Sequence, residues 1–265
     1  MTEERFLMRI SFALFCCLCL LASPALAEKK HHKKHHAHKK HHAHHKGHKT
    51  HHKGHGKGHH HKKGQLNARF LSKKLNVKLW KGRFGNQRRE VFRLRGAIVK
   101  SLGLKKGQVV ADVGAGTGIY LSPLQQAIGA RGKLIAVELS PNFVRFLRNK
   151  AKKAKIPYKV VRSTFTSTRL KNNSVDVIFT CDTYHHFDKP VAMLKDFRRA
   201  LRKKGRLVIV DFDRIPGKSR RWVMNHIKHG KKFVLQQIVA NGFKLVKDIP
   251  LKGLKENYVL LFEKK

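Results

Sequence analysis

From residue 108 onward the chain alternates between short β-branched apolar runs and amphipathic stretches. The runs QVVADV, KLIAVEL, YKVVRS, VDVIFTC, RLVIVDF, FKLVKDI and NYVLLFE read as strands, the first five nearly continuous in apolar character, as strands covered on both faces are. Between them, Ser140 is placed to cap a helix with Pro141 at its first position and Phe143, Phe146 and Leu147 on one face. Leu194, Phe197 and Leu201 repeat the pattern after Pro190. Strands alternating with helices imply right-handed crossovers and a parallel sheet with helices on both faces. Only the short loop PLKGLKE separates the last two runs, so they form an antiparallel hairpin at or near one edge. The expected class is α/β: a seven-stranded, mostly parallel sheet with an antiparallel C-terminal hairpin.

Upstream, the pattern divides three ways. Residues 1–27 contain the apolar run Ile10 to Leu26 and end in Ala25-Leu26-Ala27, the small-x-small pattern of a cleaved secretory signal. Glu3 and Glu4 cancel Arg5 and Arg9, whereas a start at Met8 gives a conventional basic leader; Met1 and Met8 both stand as starts. The processed chain is then exported, to a periplasm or outside, with no remaining transmembrane segment; the alternative is an uncleaved N-terminal membrane anchor. Residues 28–64 hold a run with 16 His and 12 Lys and nothing apolar larger than Ala, which cannot offset the entropy of ordering and reads as a disordered tail. Residues 65–107 carry aromatic punctuation (Phe70, Trp80, Phe84, Phe92) and a helical stripe of Val91, Phe92, Leu94, Ile98, Val99 and Leu102, an extension of one or two helices leading into residues 108–265.

Composition sharpens this division. The 265 residues hold 60 Lys plus Arg against 15 Asp plus Glu, a formal charge of +45 before any of the 20 His are counted. An apolar content of 41% still supplies a real core, which excludes a wholly disordered polycation, and no run beyond the N-terminus suits a multi-pass membrane protein. Outside the signal the one cysteine is Cys181, so no intramolecular disulfide forms in the processed chain. In the tail, His41, His42, His44, His45 and His48 are candidate ligands for Zn, Ni or Cu, although neighbouring lysines repel a dication and no finger-type spacing occurs. The competing reading of the tail is a pH-dependent polycation that holds to anionic surfaces.

The sharpest motif is VVADVGAGTGIY, in which a buried strand runs into Asp112, then Gly114, Gly116 and Gly118, and then a helix. Glycines at such a turn let backbone amides approach a ligand at a helix N-terminus. A dinucleotide fingerprint would need glycine where Ile119 stands, which disfavours NAD and FAD. The G-x-G-x-G form after an acid resembles the glycine loop of class I S-adenosylmethionine-dependent methyltransferases. Twenty residues past Gly118, KLIAVEL delivers Glu138 to a strand end, where a carboxylate accepts ribose hydroxyls; the bland reading of Glu138 is a helix-capping acid.

From Phe84 on, RFGNQRREVFRLRGAIVKSLGL, VADVGAGTG, SVDVIFTCDTYHHF, ALRKKGRLVIVDFDRIPGKS and LKENYVLLFEK are similar to a bacterial subgroup of that family, often exported, with a YHH motif after the fourth strand. The resemblance implies a Rossmann-like fold with the first strand beside the fourth, the fifth next to the fourth, and the final strand inserted antiparallel near the edge. It implies S-adenosyl-L-methionine as cofactor, with the glycine loop on its methionine part and Glu138 on its ribose. Many relatives carry an Asp after the third strand for the adenine amine; here Arg162, Ser163, Thr164 and Phe165 follow, leaving adenine to Ser163, Thr164 or the backbone.

Neighbouring fourth and fifth strands would bring CDTYHHF beside DFDR as the acceptor pocket. Methyl transfer from a sulfonium is an in-line displacement, so the protein aligns a nucleophile and removes its proton. His185 or His186 is the candidate base, with Asp211 orienting it and Tyr184 against the acceptor; Asp182 is assigned to the cofactor's amino group. The alternatives have one imidazole satisfying a buried carbonyl with Asp211 capping a turn, or a divalent-metal site from His185, His186, Asp211 and Asp213. His226 and His229, three apart in a helix, are expected in solvent. Of the 12 acids after Gly64, Asp112, Glu138, Asp182, Asp211 and Asp213 fall at strand C-terminal ends, where a cationic ligand would use them.

Two functions follow. One is a methyltransferase on an unidentified acceptor, for which the basic surface suggests an anionic class; the other is a non-catalytic protein on the same fold that binds metals and polyanions such as nucleic acid, lipopolysaccharide or anionic lipid.

Overall fold

The computed structural model describes residues 66–154 and 158–265. The expected signal (1–27), the His/Lys tail (28–64) and its histidines His41, His42, His44, His45 and His48 lie outside the described residues. Among the described residues no helix is long and apolar enough to cross a membrane.

Seven strands form one sheet: β1 (Val109–Val113), β2 (Lys133–Glu138), β3 (Lys159–Arg162), β4 (Val175–Cys181), β5 (Leu201–Phe212), β6 (Phe243–Asp248) and β7 (Asn257–Lys264). Their order is β3-β2-β1-β4-β5-β7-β6. The first five are parallel, and β7 runs antiparallel between β5 and β6. This is the expected sheet, including β1 beside β4 and the inserted final strand.

The apolar periodicity of two sorts each strand's side chains between faces. Along β5, Val208 and Val210 join one core with Val110, Phe179, Leu124, Ile128 and Leu147. Leu207 and Ile209 join the other with Ala111, Ile178, Leu194, Phe197 and Ile238. The helices supplying these faces are α5 (Leu121–Ile128), α6 (Pro141–Lys152), α7 (Pro190–Ala200) and α9 (Lys231–Ala240). The third strand departs from expectation: β3 is not buried on both faces, because it is an edge strand with Lys159 and Arg162 exposed and Val160 and Val161 half-buried. Ser140 does occupy the N-cap of α6 with Pro141 following, but its hydroxyl makes no cap bond and is buried without a hydrogen-bond partner among the described residues.

The extension before β1 folds as four short helices rather than one or two: α1 (Ala68–Leu71), α2 (Val77–Phe84), α3 (Glu90–Arg93) and α4 (Arg95–Ser101). Gly85 caps the end of α2, and Arg89 and Leu94 break the helical path at the ends of α3. The stripe is largely buried nonetheless, with Val91, Ile98, Val99 and Leu102 in the core and Phe92 and Leu94 half-buried. The Glu90 carboxylate anchors the extension to the far end of the chain. Its oxygens accept the amides of Lys255 (2.8 Å), Glu256 (2.8 Å) and Asn257 (2.7 Å), in the loop that enters β7.

Asp196 on α7 holds the crossover into β4. Its carboxylate accepts from the amide (2.7 Å) and hydroxyl (2.5 Å) of Thr168, the hydroxyl of Ser167 (2.9 Å) and Arg199 (2.7 Å). Burial works to raise its pKa, but the Thr168, Arg199 and Ser167 bonds together hold it below the ordinary value. Its contribution is therefore present above the unfolded-state pKa near ~3.9 and lost as pH falls through the lower folded value. Asp196→Ala should cost about 2–4 kcal/mol by leaving buried Thr168 donors unmatched. Urea denaturation at pH 7 and pH 3 checks this: the gap between wild type and variant should shrink at the lower pH.

Candidate active site

The C-terminal ends of β1, β2 and β4 open on one cavity, as expected where neighbouring crossovers of a parallel sheet diverge. Its wall includes Asp112, Gly114 and Gly116 from the loop after β1, Glu138 after β2, Ser163 and Thr164 after β3, and Asp182 after β4. Seven of the eight residues assigned to the cofactor are thus brought together. Gly118 lies outside this cavity, where an added Cβ would meet Leu121 at 2.6 Å and Leu147 at 3.1 Å, so its smallness serves helix packing.

The loop needs glycine for two different reasons. Gly114 (φ 79°) passes so close to Thr183 that a Cβ would come within 2.3 Å of its side chain. Gly116 (φ 54°) faces the ring of Phe84, with a Cβ falling 3.2 Å from it. Both φ values lie in the left-handed region that L side chains adopt only at a cost.

Glu138 makes bracing bonds at the start of a helix and also stands at the cavity wall, where the ribose reading needs a carboxylate. Its two oxygens accept the amides of Gly116 and Ser140, each at 2.8 Å, so it braces the glycine loop against the start of α6. It also lines the cavity, and a carboxylate with four lone-pair sites retains capacity for a ligand. Burial raises its pKa against the pull of the Ser140 and Gly116 amides. Asp112 is pushed up to about 7, first by burial and then by the nearby Glu138. Two acids desolvated side by side suit a cationic ligand, which would relieve both.

Asp182 sits at the cavity wall with positive φ (47°), its carboxylate accepting from Arg89 (2.6 Å) and Asn257 (2.6 Å). Burial raises its pKa and Arg89 opposes it. Ser163 is buried at the wall, whereas the Thr164 hydroxyl is engaged in a local turn, accepting from the amide of Ser167 at 3.0 Å.

The YHH segment forms a 3-10 turn, Tyr184–His186. Asp211, at the end of β5, accepts the His185 amide (3.1 Å) and contacts Nδ1 of the His185 ring (2.6 Å). Burial opposes charge on this imidazole, but the Asp211 carboxylate outweighs it and raises the pKa. His185 and Asp211 therefore meet as expected, but one layer behind the cavity wall. It is His186 that lines the cavity; burial first, then His185 and His226, push its pKa down, so it is neutral. Tyr184 points elsewhere: buried in the core, its hydroxyl donates to Gln237 of α9 at 2.7 Å. Asp213 does not join the histidines, since its carboxylate accepts the Lys231 amide at 3.0 Å at the start of α9. His226 of α8 (Arg221–His226) is not in open solvent; it is half-buried against both His185 and His186, while His229 is exposed and stacks on Phe233.

The roof of the cavity has no counterpart among the residues picked out by sequence chemistry. Phe70 and Phe84, from α1 and α2, meet Phe143 of α6 at 6.2 and 6.0 Å between ring centroids, with Trp80 between the first two. Asn67 reaches down to donate to the His186 carbonyl (2.8 Å), and Arg89 ties Asp182 to the Phe84 carbonyl (3.1 Å). The aromatic spacing in 65–107 was the available signal for such a roof; nothing in the local sequence singles out Asn67 or Arg89.

Fold and loop together define the class: this is a Rossmann-like methyltransferase fold. Residues 111–209 match the family described as a methyltransferase domain. A solved structure of a SAM-dependent methyltransferase from Aquifex aeolicus superposes with a TM-score of 0.63 at 24% identity, over 72% of this chain and 100% of that one. Mitomycin 7-O-methyltransferase MmcR gives a TM-score of 0.61 at 12% identity, over 76% of this chain and 60% of that one. Among curated proteins, phosphoethanolamine N-methyltransferase 1 of Zea mays is 27% identical over 145 residues, 55% of this chain and 28% of the maize protein. The chain thus spans little more than a quarter of that relative.

Proposed function

We propose that this protein is an S-adenosylmethionine-dependent methyltransferase whose acceptor enters beside His186. The observation that carries the reading is the pairing of buried Asp112 and Glu138 around a glycine loop whose Gly116 leaves room at the cavity wall. These residues fit the cofactor: Gly116 and Gly114 permit close backbone approach, Glu138 offers oxygens to ribose hydroxyls, and Asp112 with Asp182 offers negative charge. When bound, S-adenosylmethionine supplies an electrophilic methyl on a sulfonium. Asn67, Phe187 and Asp188 flank His186 on the same wall and shape the acceptor's seat. The lowered pKa makes His186 a weak base, so it serves that side as a hydrogen-bonding group, and the Asp211–His185 pair fixes the turn that carries it. Methylated nitrogen and oxygen both occur among the names of similar proteins, so the acceptor atom is left open. A cavity walled by carboxylates does not favour the alternative of a purely polyanion-binding protein. Export, an N-terminal signal, and metal binding by the His-rich tail stand as further proposals.

Isothermal titration of the full chain with S-adenosylmethionine should show one saturable site, and no heat at millimolar ligand would sink the reading. Its pH dependence is expected to carry the signature of Asp112. A cationic ligand needs this carboxyl ionised, so below about 7 binding must first release its proton and affinity should fall toward tenfold per pH unit. In the free protein the same group lowers stability as pH rises from about 4 to 7, because the folded chain keeps a proton that the unfolded chain gives up. A flat affinity profile between pH 6 and 8 would remove Asp112 from the site.

A further inference from the structure

We propose that His185, His186 and His226 form a binding site for one divalent transition-metal ion of the zinc type, at the edge of the acceptor cavity. The inference stands on its own geometry and does not rest on the methyltransferase reading. One ring nitrogen from each histidine lies within 4.8 Å of the other two. The ring centroids are 4.2 Å (His185–His186), 5.2 Å (His185–His226) and 5.3 Å (His186–His226) apart.

Two elements at the ligand edge of the sheet converge here, the 3-10 turn after β4 and α8 after β5. Asp211 occupies the Nδ1 side of His185, which leaves Nε2 of that ring as the ligand atom. A carboxylate behind an imidazole is the arrangement that orients metal-binding histidines and raises their basicity. The Nδ1 of His186 is buried with no hydrogen-bond partner among the described residues. A metal bond would satisfy it.

Three imidazoles without a directly ligating carboxylate favour Zn, Co, Ni or Cu over Mg or Ca. Zinc–nitrogen bonds of 2.0–2.1 Å put ligand nitrogens about 3.3 Å apart in a tetrahedron, so rings whose nitrogens lie within 4.8 Å of one another need draw together by no more than about 1.5 Å. His226 ends a six-residue helix and the other two histidines sit on a three-residue 3-10 turn, short supports that can shift. Three protein ligands leave a fourth position, as in zinc sites that bind water or substrate, and His186 places it at the cavity wall.

The sequence supplies a reporter that separates this site from the His-rich tail. Trp222 stacks on His226 at 4.7 Å and 25°, and the only other tryptophan is Trp80. In the full chain carrying Trp80→Phe, titration with Co²⁺ should quench Trp222 emission saturably, and EDTA should restore it. His185→Gln and His186→Gln, neither of which removes the stacked pair, should each shift the curve to higher Co²⁺ by on the order of tenfold or more. Superimposable curves in both variants, or no quenching up to about millimolar Co²⁺, would overturn the site. Crystals soaked in Zn²⁺ give a second measurement independent of variant folding: an anomalous peak bonded to the three rings supports the site, and a triangle without one overturns it.

Discussion

Replacing Gly116 by leucine is expected to abolish S-adenosylmethionine binding while leaving a cooperative unfolding transition. At φ 54° a leucine costs about 1–2 kcal/mol in backbone strain, a sum a domain of this size tolerates. The side chain, however, enters the space between the loop and Phe84, where even a Cβ is 3.2 Å from the ring. Either Phe84 lifts and the roof opens, or leucine fills the seat of the ligand. Affinity should drop on the order of 100-fold, equivalent to about 2.8 kcal/mol. Titration calorimetry paired with a thermal melt separates the effects; a loss below tenfold in a folded variant would place the ligand elsewhere.

Glu138→Ala should damage stability and binding together. Removing the carboxylate strands the amides of Gly116 and Ser140 in a buried setting, at about 1–3 kcal/mol each, and takes away the proposed ribose acceptor. Glu138→Gln should recover roughly half of the stability, because one carbonyl acceptor survives. The glutamine variant carries a second expectation. Glu138 is one of the two causes that hold Asp112 up to about 7, so its neutralisation should move the pH profile of ligand binding to lower pH. Urea midpoints and calorimetry across pH 5 to 8 read both effects; an unmoved profile would disprove the coupling of the two acids.

The sheet was legible because parallel strands buried on two faces leave nearly unbroken apolar text, and because an Asp followed by spaced glycines has few structural meanings. The exception was β3: its Val160 and Val161 read like core, yet an edge strand has a neighbour on one side only, and nothing in four residues says which strand stands at the edge. The cavity at the strand ends, the proposed cofactor side, was legible for the same reason as the sheet, since strand ends locate it. The acceptor side was less so. Tyr184, His185 and His186 are consecutive, but a 3-10 turn sends each a different way: to Gln237, to Asp211 and to the cavity. His226 looked like a surface histidine because its helix is short and mostly exposed, and only the packing of α8 over the end of β5 brings it inward. Asn67 and Arg89 act across more than ninety residues of chain, a distance no local pattern spans.

The bonds from Glu90 to the amides of Lys255, Glu256 and Asn257 join residues 165 to 167 positions apart, and Arg89 beside it reaches the cavity through Asp182. Asn257 holds the other oxygen of that same Asp182. During synthesis, then, the glycine loop and its acids emerge well before the strand that latches the roof above them. Loop-closure entropy is met late, and the nascent chain carries an unfinished pocket until β7 leaves the ribosome. The proposed ligand affinity should therefore appear only once β7 has joined the sheet.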